Sequence, residues 1–275
     1  MITKKQLISI LLWCVFLFTL FKPLFDQDKY RTANKADGET IDGPVEEQPL
    51  HDVILPLFAN ISDVKEKKRQ FFKFLKPAVL KENARISTLR THVIKYINKI
   101  KLGESLTNYE QEKLSSLLKK YKIKKSLIES ERLTHLLSRI DIVPASLVLV
   151  QAANESAWGT SRFARIGLNF FGIWCFQKGC GMVPKGRDAG LKHEVAAFSS
   201  IDNAVKHYLH NINTNSAYFV FREIRTQLHQ QNLPLSAEIL ATGLLPYSER
   251  GTDYILEITD MIRHNRTYLE VTDSE

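Results

Sequence analysis

The spacing of apolar and polar residues divides the chain into four stretches. An apolar run from Leu7 to Phe21 follows Lys4 and Lys5, and it reaches Phe25 if Lys22 turns its ammonium toward the headgroups. This predicts a membrane-targeting segment over residues 1–25, short for a spanning helix, with the lysines on the cytoplasmic side and the body outside. Phe21-Lys22-Pro23-Leu24-Phe25 lacks the small-x-small pattern of a cleaved signal, so an uncleaved anchor is expected, with a removed signal as the alternative. Cys14 sits inside the run behind Trp13, where lipid attachment would want a small residue, and it reads as a buried membrane thiol. Residues 26–50 are polar, carry Gly38, Gly43, Pro44 and Pro49, and predict a flexible linker.

From about residue 62 the period becomes helical. Phe71, Phe72, Phe74 and Leu75 belong to an aromatic-rich helix before Pro77, and Ile86, Leu89, Val93, Ile97 and Ile100 mark a further helical stripe. Thr107 followed by Glu110 is a capping-box signal for a helix carrying Leu114, Leu117, Leu118 and Tyr121; Leu133, Leu136, Leu137 and Ile140 mark another. Together they predict a helical extension over residues 51–137. From Val143 to Ala153 the chain is apolar nearly all round, with Pro144 suited to a first helical turn and Gly159 to a stop, which predicts a buried central helix. Between residues 167 and 198 the period is lost and glycines accumulate, predicting a loop or small β-lobe. Helices return behind Ser199 or Ser200, after Pro234-Leu235-Ser236, and from about Asp253 to Arg263. The expected architecture is mainly α, an α+β body with a helical lobe and a small irregular or β lobe.

The charge is uneven. The net formal charge is +8, yet residues 61–130 hold 18 Lys and Arg against 7 Asp and Glu, a net of +11, so the rest of the chain carries −3. A basic segment attracts polyanions. No nucleic-acid-binding motif accompanies the charge, so nucleic acid is not expected as a partner. Outside the membrane run the cysteines are Cys175 and Cys180; in an exported body they predict a short-loop disulfide. Two cysteines with no His pair at ligand spacing do not make a metal site, and no cofactor is expected.

Glu155 is the sharpest candidate for chemistry, because it ends the apolar helix. Burial there disfavours the charged form, raises the carboxyl pKa and leaves a proton to donate near neutral pH. The competing reading is a buried glutamate paired with Arg162 or Arg165.

The surrounding residues favour the acid. Glu155-Ser156-Ala157-Trp158-Gly159-Thr160-Ser161 resembles the Glu-Ser-Gly-Trp-Gly-x-Ser signature of glycoside hydrolase family 73, the bacterial cell-wall glucosaminidases. Leu168-Asn169-Phe170-Phe171-Gly172-Ile173 is similar to that family's Asn-Leu-Phe-Gly-Ile segment, and Phe198-Ser199-Ser200 with Ala204, Val205 and Tyr208 to its next helix start. Tyr247 with Asp253-Tyr254 stands where the family has Gly-Tyr-Ala-Thr-Asp-Pro-x-Tyr. The resemblance covers about residues 138–265, which places the expected glucosaminidase domain at residues 138–268, and with the N-terminal run, the basic helices and the cysteine pair it points to the Bax-type branch found in Gram-negative envelopes. It departs at Ala157, where the family commonly has Gly, and around Pro246–Thr252, which leaves Tyr254 or Tyr247 as the active-site tyrosine.

The resemblance implies a lysozyme-like fold and a hydrolase of β-1,4 bonds on the reducing side of N-acetylglucosamine in peptidoglycan. Glu155 is the implied general acid. The implied second carboxylate is Glu194, with Asp188 or the substrate's own acetamido group as alternatives. Trp158, Asn169, Phe171 and Trp174 are the implied substrate-binding residues, Trp174 the foremost sugar-stacking aromatic. Lytic transglycosylation on the same fold and a non-catalytic wall-binding role are the competing functions. The implied location is the cell envelope, held at the inner membrane by the N-terminal segment.

Overall fold

A computed structural model describes residues 47–184, 187 and 190–269. The membrane segment with Cys14, nearly all of the linker, and Asp188 lie outside the described residues. Among the described residues no helix is long and apolar enough to cross a membrane.

Ten helices and three short strands are described. Helix α1 spans Val64–Lys101 and starts at Asp63, whose side chain accepts from the Glu66 N–H at 2.7 Å. It runs unbroken through Pro77, where the sequence suggested a stop. A proline inside a helix costs ~3 kcal/mol or more, chiefly through a lost hydrogen bond to the residue four positions back. Here Pro77 and Lys73 both face solvent, so the freed Lys73 carbonyl meets water, while Phe71, Phe72, Leu75, Ala78 and Val79 are buried on the opposite side. That burial offsets the proline.

Helices α2 (Asn108–Lys120), α3 (Glu129–Arg139) and α4 (Ala145–Glu155) follow. The capping box of α2 forms as expected: Thr107 accepts from the Glu110 N–H and Glu110 accepts from the Thr107 N–H. In α4 every residue from Leu147 to Ala153 is buried. It packs against α1 and against α9 (Thr252–His264), which places it within the main hydrophobic core. The basic helix α1 therefore shares its core with the segment beyond residue 138.

After α5 (Arg162–Gly167) come strands β1 (Trp174–Cys175), β2 (Gly181–Met182) and β3 (Glu194–Ala196). They form an antiparallel sheet in the order β1-β3-β2, with Trp174 opposite Val195 and Gly181 opposite Ala196. The Cys175–Cys180 disulfide, Cα atoms 6.3 Å apart, closes the loop between β1 and β2. Helix α6 (Ile201–Thr214) is capped by Ser200, whose side chain accepts from the Asn203 N–H; α7 (Phe219–Gln230), α8 (Ala237–Ala241) and α10 (Arg266–Leu269) complete the helical lobe. The fold is mainly α with a small β lobe, the lysozyme-like division.

Candidate active site

The chain reverses direction immediately after Glu155. Ser156 donates to the Ala152 carbonyl at 2.6 Å and accepts from the Gly159 N–H at 2.8 Å. Ala157, Trp158 and Gly159 take positive φ values of 49°, 56° and 77° in succession. A non-glycine residue in this region is strained by about 1–2 kcal/mol. The position where the family commonly has Gly is thus one where Ala157 carries a left-handed backbone.

This turn leaves Glu155 at the end of the buried helix. Its carboxyl is raised above the ordinary 4.5, first by burial. Hydrogen bonds from Tyr254 and Asn154, and the charge of Arg250, oppose the shift, while Glu257 adds to it. Neither proposed arginine partner pairs with it: Arg162 binds Glu47, and Arg165 donates to the Thr160 carbonyl at 3.2 Å. Gly172 lies against the acid, with φ +63° and room for a Cβ only 3.4 Å from the Glu155 Oε2. A side chain there would be strained by the positive φ, and its Cβ would rest in van der Waals contact with the carboxyl.

Three residues behind Glu155 form a directed chain. The Tyr208 hydroxyl donates to Gln151 Oε1 in a short contact, and Gln151 Nε2 donates to the Tyr254 hydroxyl at 2.9 Å. Tyr254 in turn hydrogen-bonds Glu155. Burial pushes the Tyr254 hydroxyl far above its ordinary value of 10, so it stays a neutral donor. Tyr247 stacks on Tyr254 with centroids 5.5 Å apart, but its own hydroxyl donates to the Phe171 carbonyl at 2.7 Å. Of the two candidate tyrosines, the one against Glu155 is Tyr254. Gln151 was not singled out from sequence, and Tyr208 entered only as part of a matching motif, with no site role. The signal was present, because Gln151 is an amide amid the apolar residues Leu147–Ala153 and lies four residues before Glu155, on the same face.

The implied substrate-binding residues separate sharply. Asn169 is buried, and its amide donates to Ile173 O and Ala196 O while accepting from the N–H groups of Phe171 and Ile173. That fills both donors and both acceptor sites of the side chain, so Asn169 braces the 169–173 loop and has no group left for a sugar. Trp158 packs edge-on against Phe71 and Phe72 of α1, with Lys68 Nζ 5.3 Å from the ring centre. Phe171 is buried and stacked on Tyr208 at 4.2 Å. Asn169 is thus engaged in hydrogen bonds, and Trp158 and Phe171 in ring contacts. Trp174, in contrast, is 49% exposed on β1, with the His193 ring edge-on at 4.9 Å.

Glu194 is buried in β3. Its carboxylate accepts from the Gly179 N–H at 3.0 Å and the Gly181 N–H at 2.9 Å, amides of the disulfide-closed loop and its edge. These bonds, the Gly179 one first, hold its pKa below the ordinary value and keep it ionised. Cys175, Cys180 and Glu194 offer atoms within 4.8 Å of one another, but sulfurs joined in a disulfide are not thiolate ligands.

The sequence profile of the glucosaminidase family, described as mannosyl-glycoprotein endo-beta-N-acetylglucosaminidase, matches residues 131–267. The chain is 33% identical over 201 residues to Protein bax of Escherichia coli (strain K12), covering 73% of this chain and 70% of that protein. No solved structure matches the chain significantly.

Proposed function

Because this chain belongs to the Bax-type glucosaminidase-domain family, we propose that it is a glycoside hydrolase cleaving the β-1,4 bond on the reducing side of N-acetylglucosamine in peptidoglycan. The observation that carries the reading is Glu155, a carboxyl with a raised pKa at the end of a buried helix, hydrogen-bonded by Tyr254.

Glu155 delivers its proton to the glycosidic oxygen as the C1–O bond breaks, and the departing sugar leaves with a hydroxyl. The positive charge developing at C1 is met by water or by the substrate's acetamido oxygen. In the water route the ionised Glu194 takes up the proton that the attacking water loses. In the acetamido route water opens the cyclic intermediate, giving the same reducing-end N-acetylglucosamine. Tyr254 orients the carboxyl, and Trp174 offers an exposed aromatic face for a pyranose ring. The enzyme works in the cell envelope, with residues 1–25 as its inner-membrane anchor.

Lytic transglycosylation is the second reading. It needs a single glutamate, which suits a Glu194 already engaged by the loop amides. Mass spectrometry of peptidoglycan digested by the full chain, beside Glu155→Gln, separates the readings. Reducing-end N-acetylglucosamine from the wild type alone is expected. Anhydromuramic ends would assign the chain to transglycosylation, and wall binding without cleavage would make it a binding protein.

A further inference from the structure

On the far side of α6 from Glu155 lies a cavity of about 310 Å³ that the proposed cleavage does not use. Tyr208, Val205, Leu209 and Ile212 are the buried face of α6, with Tyr208 joined to the Glu155 network. The opposite face turns Lys206, His207 and His210 into the cavity, and α1 and α2 supply Arg85 and Lys120. Glu82 is the one carboxylate in the lining, and it is already held by Arg85 through two hydrogen bonds of 2.7 and 2.6 Å. Lys120 and Lys206 have no ion-pair partner among the described residues. The cavity therefore presents two unpaired ammonium groups and two imidazoles, backed by the Arg85 guanidinium.

The walls are built as well as charged. Tyr121 packs edge-on against His210 with centroids 5.6 Å apart, and Phe198 lies 5.5 Å from the His207 ring. Ile86 and Tyr121 are buried in the floor. The basic groups also oppose one another's protonation. His210 is pushed down to about 4, by burial first and then by Lys120, Lys122, His207 and Arg85, and Lys120 is lowered by burial, Arg85 and Lys206. An anion in the cavity would relieve both. The volume stands at the small end of ligand pockets, which run from roughly 300 Å³ upward, so one compact headgroup fits.

We infer that this cavity is a phosphate-binding site, distinct from the cleavage site, in which Lys120, Lys206 and the two imidazoles surround a phosphate group and the apolar floor receives the carbon atoms beside it. A phosphate ester carries nearly two charges near neutral pH and three acceptor oxygens, which matches several convergent donors better than a single carboxylate does. The phosphate belongs either to a soluble ester or to an anionic lipid headgroup.

The test uses the full chain in zwitterionic detergent, with histidine-ring NMR signals followed against inorganic phosphate, acetate and dihexanoyl phosphatidic acid. Saturable shifts of the His207 and His210 rings with phosphate are expected, weakened roughly tenfold or more when Lys120→Gln and Lys206→Gln are combined. Both lysines are solvent-exposed, and circular dichroism confirms that the double variant is folded. Tenfold tighter binding of the short-chain lipid than of inorganic phosphate assigns a membrane headgroup; equal or weaker binding assigns a soluble phosphate. Shifts produced equally by acetate, no saturable shift, or a double variant that binds phosphate as wild type does would each overturn the site. None of these readouts depends on glycan cleavage.

Discussion

Two glutamates, one in each lobe, show how surroundings assign opposite tasks to one side chain. Glu155 ends a helix that is buried from Leu147 to Ala153, and loss of water raises its pKa. Glu194 lies in a strand beside a disulfide-closed loop, and two backbone amides hold its pKa down. The first is suited to give a proton and the second to remain an anion. The difference comes from what each lobe can offer. A helix C-terminus has no free amides to stabilise a carboxylate, whereas a short glycine-rich loop turns its N–H groups inward.

The largest effect that would break this contrast is on Glu155. Glu155→Gln is expected to lower glycan cleavage by about 10²–10⁴-fold, the range for loss of a general acid. Its stability should move the other way. A carboxyl whose folded pKa is raised holds its proton in the folded chain between 4.5 and the raised value, while the unfolded chain has lost it. Stability therefore falls as pH rises through that window and stays lower above it. Glutamine has no such loss, so the melting temperature of Glu155→Gln should gain on the wild type from pH 4 to pH 7. A variant that loses stability relative to the wild type as pH rises would contradict the buried-acid reading.

Removing Glu194 is the next largest. Glu194→Ala strands two amides, at about 1–3 kcal/mol each if they remain buried. Faster hydrogen exchange at Gly179 and Gly181 is expected, together with a cleavage defect that added azide partly restores. Exchange without azide rescue would assign Glu194 to bracing alone and favour the acetamido route. Tyr254→Phe is a smaller change. It removes a hydrogen bond that lowers the Glu155 pKa, so the alkaline limb of the pH–rate profile should shift to higher pH with the protein still folded. A profile that does not move would remove Tyr254 from the acid's environment. The smallest effect concerns the turn between helix and strand lobe. Ala157→Gly should raise stability in a urea melt by up to about 1 kcal/mol, as relief of left-handed strain exceeds the added freedom of the unfolded chain.

The sequence was most legible where structure is local. Thr107 with Glu110, Ser200 and Ser236 each mark a helix start through hydrogen bonds spanning three residues, and each cap forms. The place of Glu155 at the end of a buried helix, with its raised pKa, was legible because the apolar run stops at it. Pro77 misled because the burial that carries α1 through it comes from distant parts of the chain. Asn169 and Trp158 belong to matching motifs, yet a motif does not state whether a side chain faces the ligand or the core. Gln151 was hidden for a related reason: its partners, Tyr208 and Tyr254, lie 57 and 103 residues away.

The Tyr208–Gln151–Tyr254 chain has a consequence for where the acid's hydrogen sits. An amide's oxygen only accepts and its nitrogen only donates, so Gln151 gives the sequence of bonds a single sense, ending with the Tyr254 hydroxyl pointing at Glu155. The carboxyl oxygen that receives this bond is the wrong one to carry a proton. With Glu155 in the proposed role of general acid, the transferable hydrogen sits on the other oxygen, so Gln151 and Tyr208 set the side from which the glycosidic oxygen is protonated.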